Sequence, residues 1–340
     1  MGRAWTAVLA TLLLVAVARQ GEAADKLRVG LLKLASSGGV FIAAERGYFT
    51  AAGVDVELRF FDAAQPIAVA AVAGDVDIGV TGLTAGFYNL AGKGALRIIA
   101  GQSREERGYH LIAYLASNRA YDAGLTALKD LPDHAVGISQ VGSTFHYSIG
   151  LLAEKLGFSL VRLKLVPLQS MANMAAAVKG NQVDASLIPA TIALPMIARG
   201  EAHLLGWVGD ETPWQLGAIF APARAIAERR AALENFLAGY RRGARAFYRA
   251  FLPNDGTQQP DITLQQPTGG GDLLAIIAKY TGQSPEQLRS GIPYIDPEAK
   301  LLVDDIYRQV AWYQAQGLVD RSVDARAILD LSFTGGPAVQ

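Results

Sequence analysis

The fold is decided by residues 27–60, LRVGLLKLASSGGVFIAAERGYFTAAGVDVELRF, which read as a strand, a polar loop, a helix and a second strand. The first apolar run stops at a loop of serine and glycine, residues 35–39, and the helical pattern that follows breaks at Gly53. The first amides of a helix lack partners within it, and the helix dipole favours negative charge at that end. We therefore expect this loop to bind an anion or another polar ligand.

The composition favours an exported protein that folds around a large apolar core. The chain has 340 residues, is 51% hydrophobic and contains no cysteine, which excludes disulfides, thiol catalysis, cysteine-type zinc sites and a lipid-bearing cysteine. Residues 1–23 combine Arg3 with an apolar run at 4–18 and small residues near Ala23, the pattern of a cleaved export signal. Cleavage there leaves a net charge of about −1, so the charge gives no indication of nucleic-acid binding.

Helices and strands alternate through two successive units, which predicts an α/β protein with largely parallel sheets. The first unit continues to about residue 116, and the second occupies about 126–207 with one further strand near 216–221. The remainder, from Ala223, has a mostly helical pattern.

The helical remainder carries clear boundary signals. Helix starts are predicted at Ser284-Pro285 and Asp296-Pro297, where a capping oxygen precedes proline, and Gly317 is placed to end the second helix. Together with the alternation before them, these boundaries predict two successive α/β units followed by a helical segment.

Several of these motifs resemble periplasmic solute-binding proteins of ABC transporters. Residues 41–49, FIAAERGYF, with 52–58, AGVDVEL, resemble the opening of the sulfonate, taurine and nitrate type, in a broad family that includes binders of thiamine pyrimidine precursors. Residues 74–79 and 180–185 resemble its glycine-and-aspartate marker turn, and 137–146 its second-domain strand, loop and helix. The resemblance implies a type II periplasmic-binding fold: two lobes, each a mostly parallel sheet flanked by helices, with a helical C-terminal extension on lobe one. After the signal, lobe one would comprise residues 24–116 together with about 222–340, and lobe two residues 117–221.

In such a fold, ligands bind outside the carboxyl ends of the parallel strands, in the crevice between the lobes. The candidate ligand-binding residues are therefore the glycines and the hydroxyl, amide, basic and aromatic side chains of the loops at those ends. In the first lobe they are Ser36, Ser37, Gly38, Phe41, Thr81, Gly82, Thr84, Gln102 and Arg104; in the second they are Gln140, Ser143, Thr144, Phe145, His146, Pro189, Thr191, Trp207 and Trp214.

Each group of candidates has an alternative structural role. Serines and threonines at helix starts serve equally well as N-caps, and aromatic residues serve equally well in the core. For Arg104, whose neighbours are charged, a solvated charge cluster is the more common role. His146 follows Ser143 by three positions, but no acidic residue is placed to orient its imidazole, so a nucleophile–base pair is not favoured. The histidine spacing predicts no metal site.

The resemblance implies a non-enzymatic periplasmic receptor, a monomer without a cofactor, that delivers a small organic solute to an inner-membrane ABC permease and its ATPase. Hinge strands near Ala116 and near residues 214–221 would let the lobes close on the solute. The hydroxyl-rich helix starts favour an anion, and the aromatic residues permit a ring. An organic sulfonate or an aromatic or aliphatic carboxylate is therefore the favoured solute.

Three alternatives stay open. A pyrimidine or thiamine precursor would call on acidic groups, of which Asp210 and Glu211 are the nearest in these loops. An enzyme on the same scaffold, such as a desulfinase or dehydratase, is disfavoured because the chain has no cysteine. A sensory protein would present the same bound ligand to a receptor instead of a transporter.

Overall fold

The computed structural model describes residues 25–252, 270–289 and 291–334. The predicted signal peptide lies outside these ranges. Within them, no helix has the length and apolar character needed to span a lipid bilayer.

The strands form two five-stranded sheets and one small two-stranded ladder. They are β1 (Asp25–Leu32), β2 (Val54–Phe61), β3 (Ile78–Gly82), β4 (Leu96–Gly101), β5 (Ser103–Arg104), β6 (Ile112–Ala116), β7 (Ala135–Ile138), β8 (Lys164–Pro167), β9 (Ala185–Pro189), β10 (His203–Trp207), β11 (Gly217–Pro222) and β12 (Tyr294–Ile295). The first sheet has the order β2-β1-β3-β11-β4 and the second β10-β6-β9-β7-β8, while β5 pairs with β12.

Four of the five strands in each sheet run in the same direction. In the first sheet β2, β1 and β3 pair in parallel, and β11 lies antiparallel between β3 and β4. In the second sheet β8, β7 and β9 pair in parallel, and β6 lies antiparallel between β9 and β10. The mostly parallel sheets confirm the predicted α/β class.

Helices follow most of the strands and account for the rest of the regular structure. They are α1 (Gly38–Glu45), α2 (Tyr48–Ala51), α3 (Ala64–Ala73), α4 (Ala85–Gly92), α5 (Asn118–Asp122), α6 (Thr144–Leu156), α7 (Met171–Lys179), α8 (Ala190–Ala198), α9 (Val208–Glu211), α10 (Ala223–Glu228), α11 (Arg230–Phe251), α12 (Gly270–Thr281), α13 (Pro285–Arg289) and α14 (Val303–Ala315).

The predicted lobe limits place β6 in lobe one and β11 in lobe two. In the structure, β6 belongs to the second sheet and β11 to the first. Both are short apolar runs that pair along both edges, a pattern that fits the centre of either sheet. The chain therefore crosses between sheets at residues 105–111 and 208–216. Ala116, a predicted hinge residue, ends β6 inside the second sheet.

The two crossing segments pair with each other at Glu105 and Trp214. Each amide donates to the carbonyl of the other residue, with both N–O distances 3.0 Å. Both residues are buried. This two-residue ladder therefore joins the two segments by which the chain passes between the lobes.

Helix α11 packs against α1 and α2 in the first lobe. Its buried residues recur every three or four positions, which is the spacing of one helix face; they include Leu233, Phe236, Leu237, Tyr240, Ala244 and Phe247. The helices approach closely because both carry glycine at the contact. A Cβ atom added at Gly243 would lie 2.1 Å from the carbonyl oxygen of Gly39.

Helix α14 packs against both lobes. On the first lobe, the Tyr88 hydroxyl of α4 donates to Gln309 Oε1 at 2.8 Å. On the second lobe, the Tyr313 hydroxyl donates to the Ser143 carbonyl at 3.0 Å, and the Trp312 ring occupies the space beside Gly150 of α6. The predicted C-terminal extension on lobe one thus also reaches lobe two.

The predicted helix start at Asp296 is instead a turn. Asp296 Oδ1 accepts hydrogen bonds from the amides of Glu298 and Lys300, at 2.9 and 3.1 Å, as aspartate side chains commonly do in turns. Ala299 has a left-handed φ of 59°, so helix α14 begins only at Val303. Gly317, with φ of 70°, follows the end of α14 as predicted.

Candidate functional site

The carboxyl ends of strands from both sheets border one cleft between the lobes. Its cavity has a volume of about 60 Å³. Twelve of the predicted ligand-binding residues line it: Ser36, Ser37, Thr81, Gly82, Thr84, Gln102, Gln140, Ser143, Thr144, Phe145, Pro189 and Thr191.

Six helices begin at the cleft, three from each lobe. Each contributes its N-cap or its first helical residue to the lining: Ser37 for α1, Ala64 for α3, Thr84 for α4, Ser143 for α6, Met171 for α7 and Pro189 for α8. Helix starts carry free amides and the positive end of the dipole. Their convergence makes the cleft favourable for negative charge.

No lysine, arginine or histidine lines the cleft in the described part of the chain; Asp62, which is exposed, supplies the one charged lining side chain. A negative group in this cleft would therefore be held by helix amides and hydroxyls instead of an ion pair. Among the same described residues, no group of three or more side chains is placed to hold a metal ion.

We call the lining residues of the first lobe the first wall, residues 32–102 with Leu216. Several of its polar side chains are bonded to their own lobe. The Ser37 hydroxyl donates to the Leu32 carbonyl at 2.9 Å, and the Gln102 side-chain amide donates to the Ser36 carbonyl at 2.7 Å. These bonds fix the loop that precedes α1.

Thr84 is the N-cap of α4. Its hydroxyl oxygen accepts from the Phe87 amide at 3.1 Å and its hydroxyl proton is donated to Gln65 Oε1. In contrast, the Thr81 hydroxyl is buried and has no hydrogen-bond partner among the described residues. A buried hydroxyl without a partner is costly, and that of Thr81 belongs to a residue of the cleft lining.

The second wall consists of the lining residues 111–112 and 139–191. Its Gly142–Ser143 corner is held from behind, because the Gly142 amide donates to His146 Nδ1 at 3.0 Å and the Ser143 carbonyl accepts from Tyr313. Ser143 also caps α6, since its hydroxyl accepts from the His146 amide at 3.3 Å. The polar side chains of this wall that make no hydrogen bond to any described residue are those of Ser139, Gln140, Thr144 and Thr191.

The two walls touch beside the cleft. The Ala85 amide of the first lobe donates to the Gly142 carbonyl of the second at 2.9 Å. A Cβ atom added at Gly82 would lie 2.6 Å from Thr144 Cγ2. Glycine at this position therefore allows the lobes to meet.

Two predicted site residues in the first lobe, Gly38 and Phe41, lie outside the cleft lining. Gly38 packs against α11, where an added Cβ would lie 2.9 Å from the Phe247 ring. Phe41 is fully buried and stacks on Tyr280 at 4.5 Å. Both residues face the core of the first lobe because α1 turns this side toward the C-terminal helices.

The two predicted tryptophans also lie outside the lining. Trp207 stacks on His110 with 4.3 Å between ring centroids. Trp214 is buried at the crossing between the lobes and meets Tyr147 edge to face at 4.8 Å. Their large apolar surfaces are used in packing, which is the alternative role for aromatic residues.

Arg104 is not in the cleft either. Its guanidinium lies 3.4 Å from Asp296 and 4.3 Å above the Tyr294 ring. Both partners belong to the C-terminal extension, which pairs with β5 through β12. Arg104 therefore joins the extension to the first lobe.

His146 lies behind the second wall and forms no nucleophile–base pair with Ser143. Its Nδ1 accepts from the Gly142 amide, and burial lowers the pKa of His146 to about 4. The acidic alternatives for a cationic ligand are also engaged elsewhere. Asp210 accepts from the Gly108 amide at 2.9 Å, and Glu211 pairs with Lys155 at 2.6 Å.

Sequence reasoning missed part of the lining. The missed polar residues include Asp62 and Gln65 after β2 and Ser139 after β7, and the missed apolar residues include Met171 after β8. They follow the carboxyl ends of parallel strands, so the rule that selected the other loops would also have selected these. Gly291 comes from the C-terminal extension, which no strand-end rule covers.

The comparison with known families agrees with this arrangement. The sequence model of the NMT1/THI5-like family matches residues 35–250. The chain belongs to the NMT1/THI5-like family. This confirms the resemblance seen in the sequence motifs, while no curated protein sequence matches the chain significantly.

Solved structures share the fold of this family member at low sequence identity. The ligand-binding component of an ABC-type import system from Staphylococcus aureus, with zinc bound, has a TM-score of 0.71 at 13% identity and covers 92% of this chain and 98% of its own. The alkanesulfonate-binding protein SsuA from Xanthomonas axonopodis, bound to MOPS, has a TM-score of 0.69 at 18% identity, with 90% and 98% covered. DszB, as a cysteine-to-serine mutant with biphenyl-2-sulfinic acid, has a TM-score of 0.58 at 13% identity, with 92% and 98% covered.

Proposed function

We propose that this protein is the solute-binding component of an ABC-type importer and that it captures a small organic anion, a sulfonate or a carboxylate, between its lobes. The observation that carries the proposal is the convergence of six helix starts, three from each lobe, on one cleft. The names of the S. aureus and Xanthomonas structures, an import component and an alkanesulfonate binder, support it.

The anion would be bound without a counter-charge from a basic side chain. Each helix start stabilises a negative group by about 0.3–1 kcal/mol, and several act on the same small volume. The unpartnered Thr81 hydroxyl would add a hydrogen bond to the ligand. The apolar lining, which includes Leu34, Phe145 and Leu216, favours a ligand with an apolar body and one anionic head over an inorganic ion.

Capture would proceed by rotation of the lobes around the ladder of Glu105 and Trp214. We place the lobe limits at the two crossings, residues 105–111 and 208–216, where the chain passes between sheets. The closed form would be stabilised because a solute bridging both walls binds that form more tightly than the open one. In this role the protein acts as an exported periplasmic monomer that presents the closed lobes to a membrane permease and its ATPase.

An enzyme on the same scaffold is the second candidate, and the likeness to DszB with a bound sulfinic acid favours it. The absence of cysteine weighs against thiol chemistry. Incubating the protein with biphenyl-2-sulfinic acid and analysing the products by chromatography separates the two. The receptor proposal expects the compound to be recovered unchanged, and turnover would contradict it.

The proposal is tested by calorimetry on the purified protein with panels of sulfonates, aromatic and aliphatic carboxylates, nitrate and pyrimidines. We expect one sulfonate or carboxylate to bind with a stoichiometry near one. Thr81→Val, which removes only the unpartnered hydroxyl, should weaken that binding by about tenfold. Thr50→Val, at an exposed threonine of α2, is the matched control and should leave the affinity unchanged. Binding of a pyrimidine alone, or of no panel member to ligand-free folded protein, would contradict the proposal.

A further inference from the structure

The Gly142–Ser143 corner is the part of the second wall that meets the first lobe. The Gly142 carbonyl accepts from the Ala85 amide at 2.9 Å, and Gly142 has a φ of 79°. Glycine has more backbone freedom than any other residue. The corner therefore keeps its direction only where neighbouring groups hold it.

His146 holds this corner from the side away from the cleft. Its Nδ1 accepts from the Gly142 amide at 3.0 Å, and the residue is only 7% exposed and outside the lining. An accepting Nδ1 requires the ring proton to be on Nε2. Only the neutral imidazole makes this hydrogen bond.

The surroundings of His146 keep the imidazole neutral. Burial lowers the pKa of His146 to about 4, and no charged group contributes to that shift. From α14, Trp312 meets the ring edge to face at 5.4 Å. Asp305 and Arg308 of that helix form an ion pair, and both influence the pKa of the neighbouring Tyr147.

We propose that His146 is a positioning residue for solute capture: its neutral ring fixes the Gly142 amide and thereby directs the Gly142 carbonyl toward the Ala85 amide when the lobes close. The proposal rests on the proposed function, because the solute is what closes the lobes. His146 does not touch the solute and acts through Gly142. The same side chain that the sequence suggested as a ligand contact would instead shape the wall that contacts the ligand.

The first test follows the Gly142 amide and the His146 ring by NMR in the wild-type protein without solute. We expect the ring to titrate near pH 4 and the Gly142 amide proton to shift with the same midpoint, because protonation at Nδ1 removes the acceptor. A Gly142 amide shift that stays constant while the ring titrates would overturn the proposal. Since no solute is present, the result does not depend on the proposed function.

The second test compares two variants by hydrogen exchange at neutral pH. His146→Leu removes the acceptor, so the protection of the Gly142 amide should fall about tenfold relative to the amides of β4. His146→Gln keeps an acceptor and should stay within about threefold of the wild type. His203→Leu, at a half-buried histidine that stacks on Tyr121, is the matched control. Equal loss in the Leu and Gln variants, or no loss in either, would overturn the proposal; should His146→Leu fail to fold, the Gln variant and the wild-type titration decide.

Solute binding is then measured with benzenesulfonate as the probe. His146→Leu should weaken binding about tenfold, and His146→Gln should weaken it less than threefold. Unchanged affinity in His146→Leu would contradict the role in capture. Failure of benzenesulfonate to bind the wild type would instead count against the proposed sulfonate class, and the NMR and exchange results would still decide the role of His146.

Discussion

The two walls of the cleft are built on the same plan but use their polar groups differently. On the first wall, the side chains of Ser37, Thr84 and Gln102 are bonded to their own lobe. On the second wall, Thr144 and Thr191 make no hydrogen bond to any described residue, and the wall is held from behind by His146 and Tyr313. The difference indicates that the first wall is the more strongly pre-bonded of the two, with Ser36 and Thr81 as its free hydroxyls among the described residues, and that the second wall contributes three: Ser139, Thr144 and Thr191.

The largest effect is expected where the two walls touch. Gly82→Ala would place a methyl group 2.6 Å from Thr144 Cγ2, so the closed form must become strained. Overpacking of this kind costs about 1–3 kcal/mol, which corresponds to a loss of about tenfold to hundredfold in solute affinity by calorimetry.

Gly271→Ala is the control, because an added Cβ there meets no atom within 4 Å. It should leave the affinity unchanged. If Gly82→Ala binds the solute as tightly as the wild type, the walls do not close in the way that this contact implies.

A smaller effect is expected from the free hydroxyls of the second wall. Thr191→Val removes a buried, unbonded hydroxyl of the lining and should weaken solute binding by about tenfold, with the melting temperature nearly unchanged. Calorimetry and thermal melting on the same preparation check both parts. A drop in melting temperature with unchanged affinity would mean that the hydroxyl serves the fold instead of the ligand.

Glu105, in the ladder that joins the lobes, makes a pH-dependent contribution to stability. Burial raises the pKa of Glu105 well above its usual range and nearby Asp210 adds to this, whereas the backbone amides of Gly209 and Ile112 act in the opposite direction without cancelling it. In the unfolded chain this carboxyl ionises above pH of about 4.5, whereas in the folded protein it keeps its proton. The folded state then binds more protons, so stability falls as the pH rises above that value.

Glu105→Gln should remove this loss and raise the melting temperature at pH 8 by about 1–2 °C, the shift that about 1 kcal/mol produces in a chain of this length. Melting curves between pH 5 and 8 provide the measurement. Glu154→Gln, at an exposed glutamate of α6, is the control. Parallel curves for wild type and Glu105→Gln would show that the carboxyl is ionised in the folded protein.

The smallest effect on binding is expected from a first-wall hydroxyl that is already bonded within its own lobe. Ser37→Ala removes the hydroxyl bonded to the Leu32 carbonyl, which should cost about 0.5–1.5 kcal/mol of unfolding free energy and change the solute affinity by less than about twofold. Denaturant unfolding and calorimetry measure the two quantities. A larger loss of affinity than Thr191→Val would reverse the assignment of the two walls.

The α/β class, most strand and helix positions and the loops of the cleft were predictable because they depend on local patterns. The Ser/Gly loop before α1 and the start of α6 at Ser143 are examples, since their caps and periodicity lie within a few residues. The sheet membership of β6 and β11 depends on pairing between distant segments, which no local pattern contains. The position of an antiparallel strand within a sheet was therefore not predictable.

The candidate site residues show the same difference between positions set by local sequence and positions set by distant contacts. Thr81 and Thr191 follow from the strand-end rule alone. Arg104 does not, because its partner Asp296 is 192 positions away in the chain. Phe41 and Trp214 show that an aromatic residue next to a ligand loop has no local signal that tells whether it faces the cleft or the core.

Native mass spectrometry tests most directly whether the two walls together capture one small organic anion. Ligand-free protein is mixed with equimolar amounts of the sulfonates, carboxylates, nitrate and pyrimidines of the calorimetry panel. We expect one sulfonate or carboxylate per chain to be retained and Gly82→Ala to retain markedly less of it. Retention of a pyrimidine or nitrate in preference, or of no compound at all, would contradict this expectation.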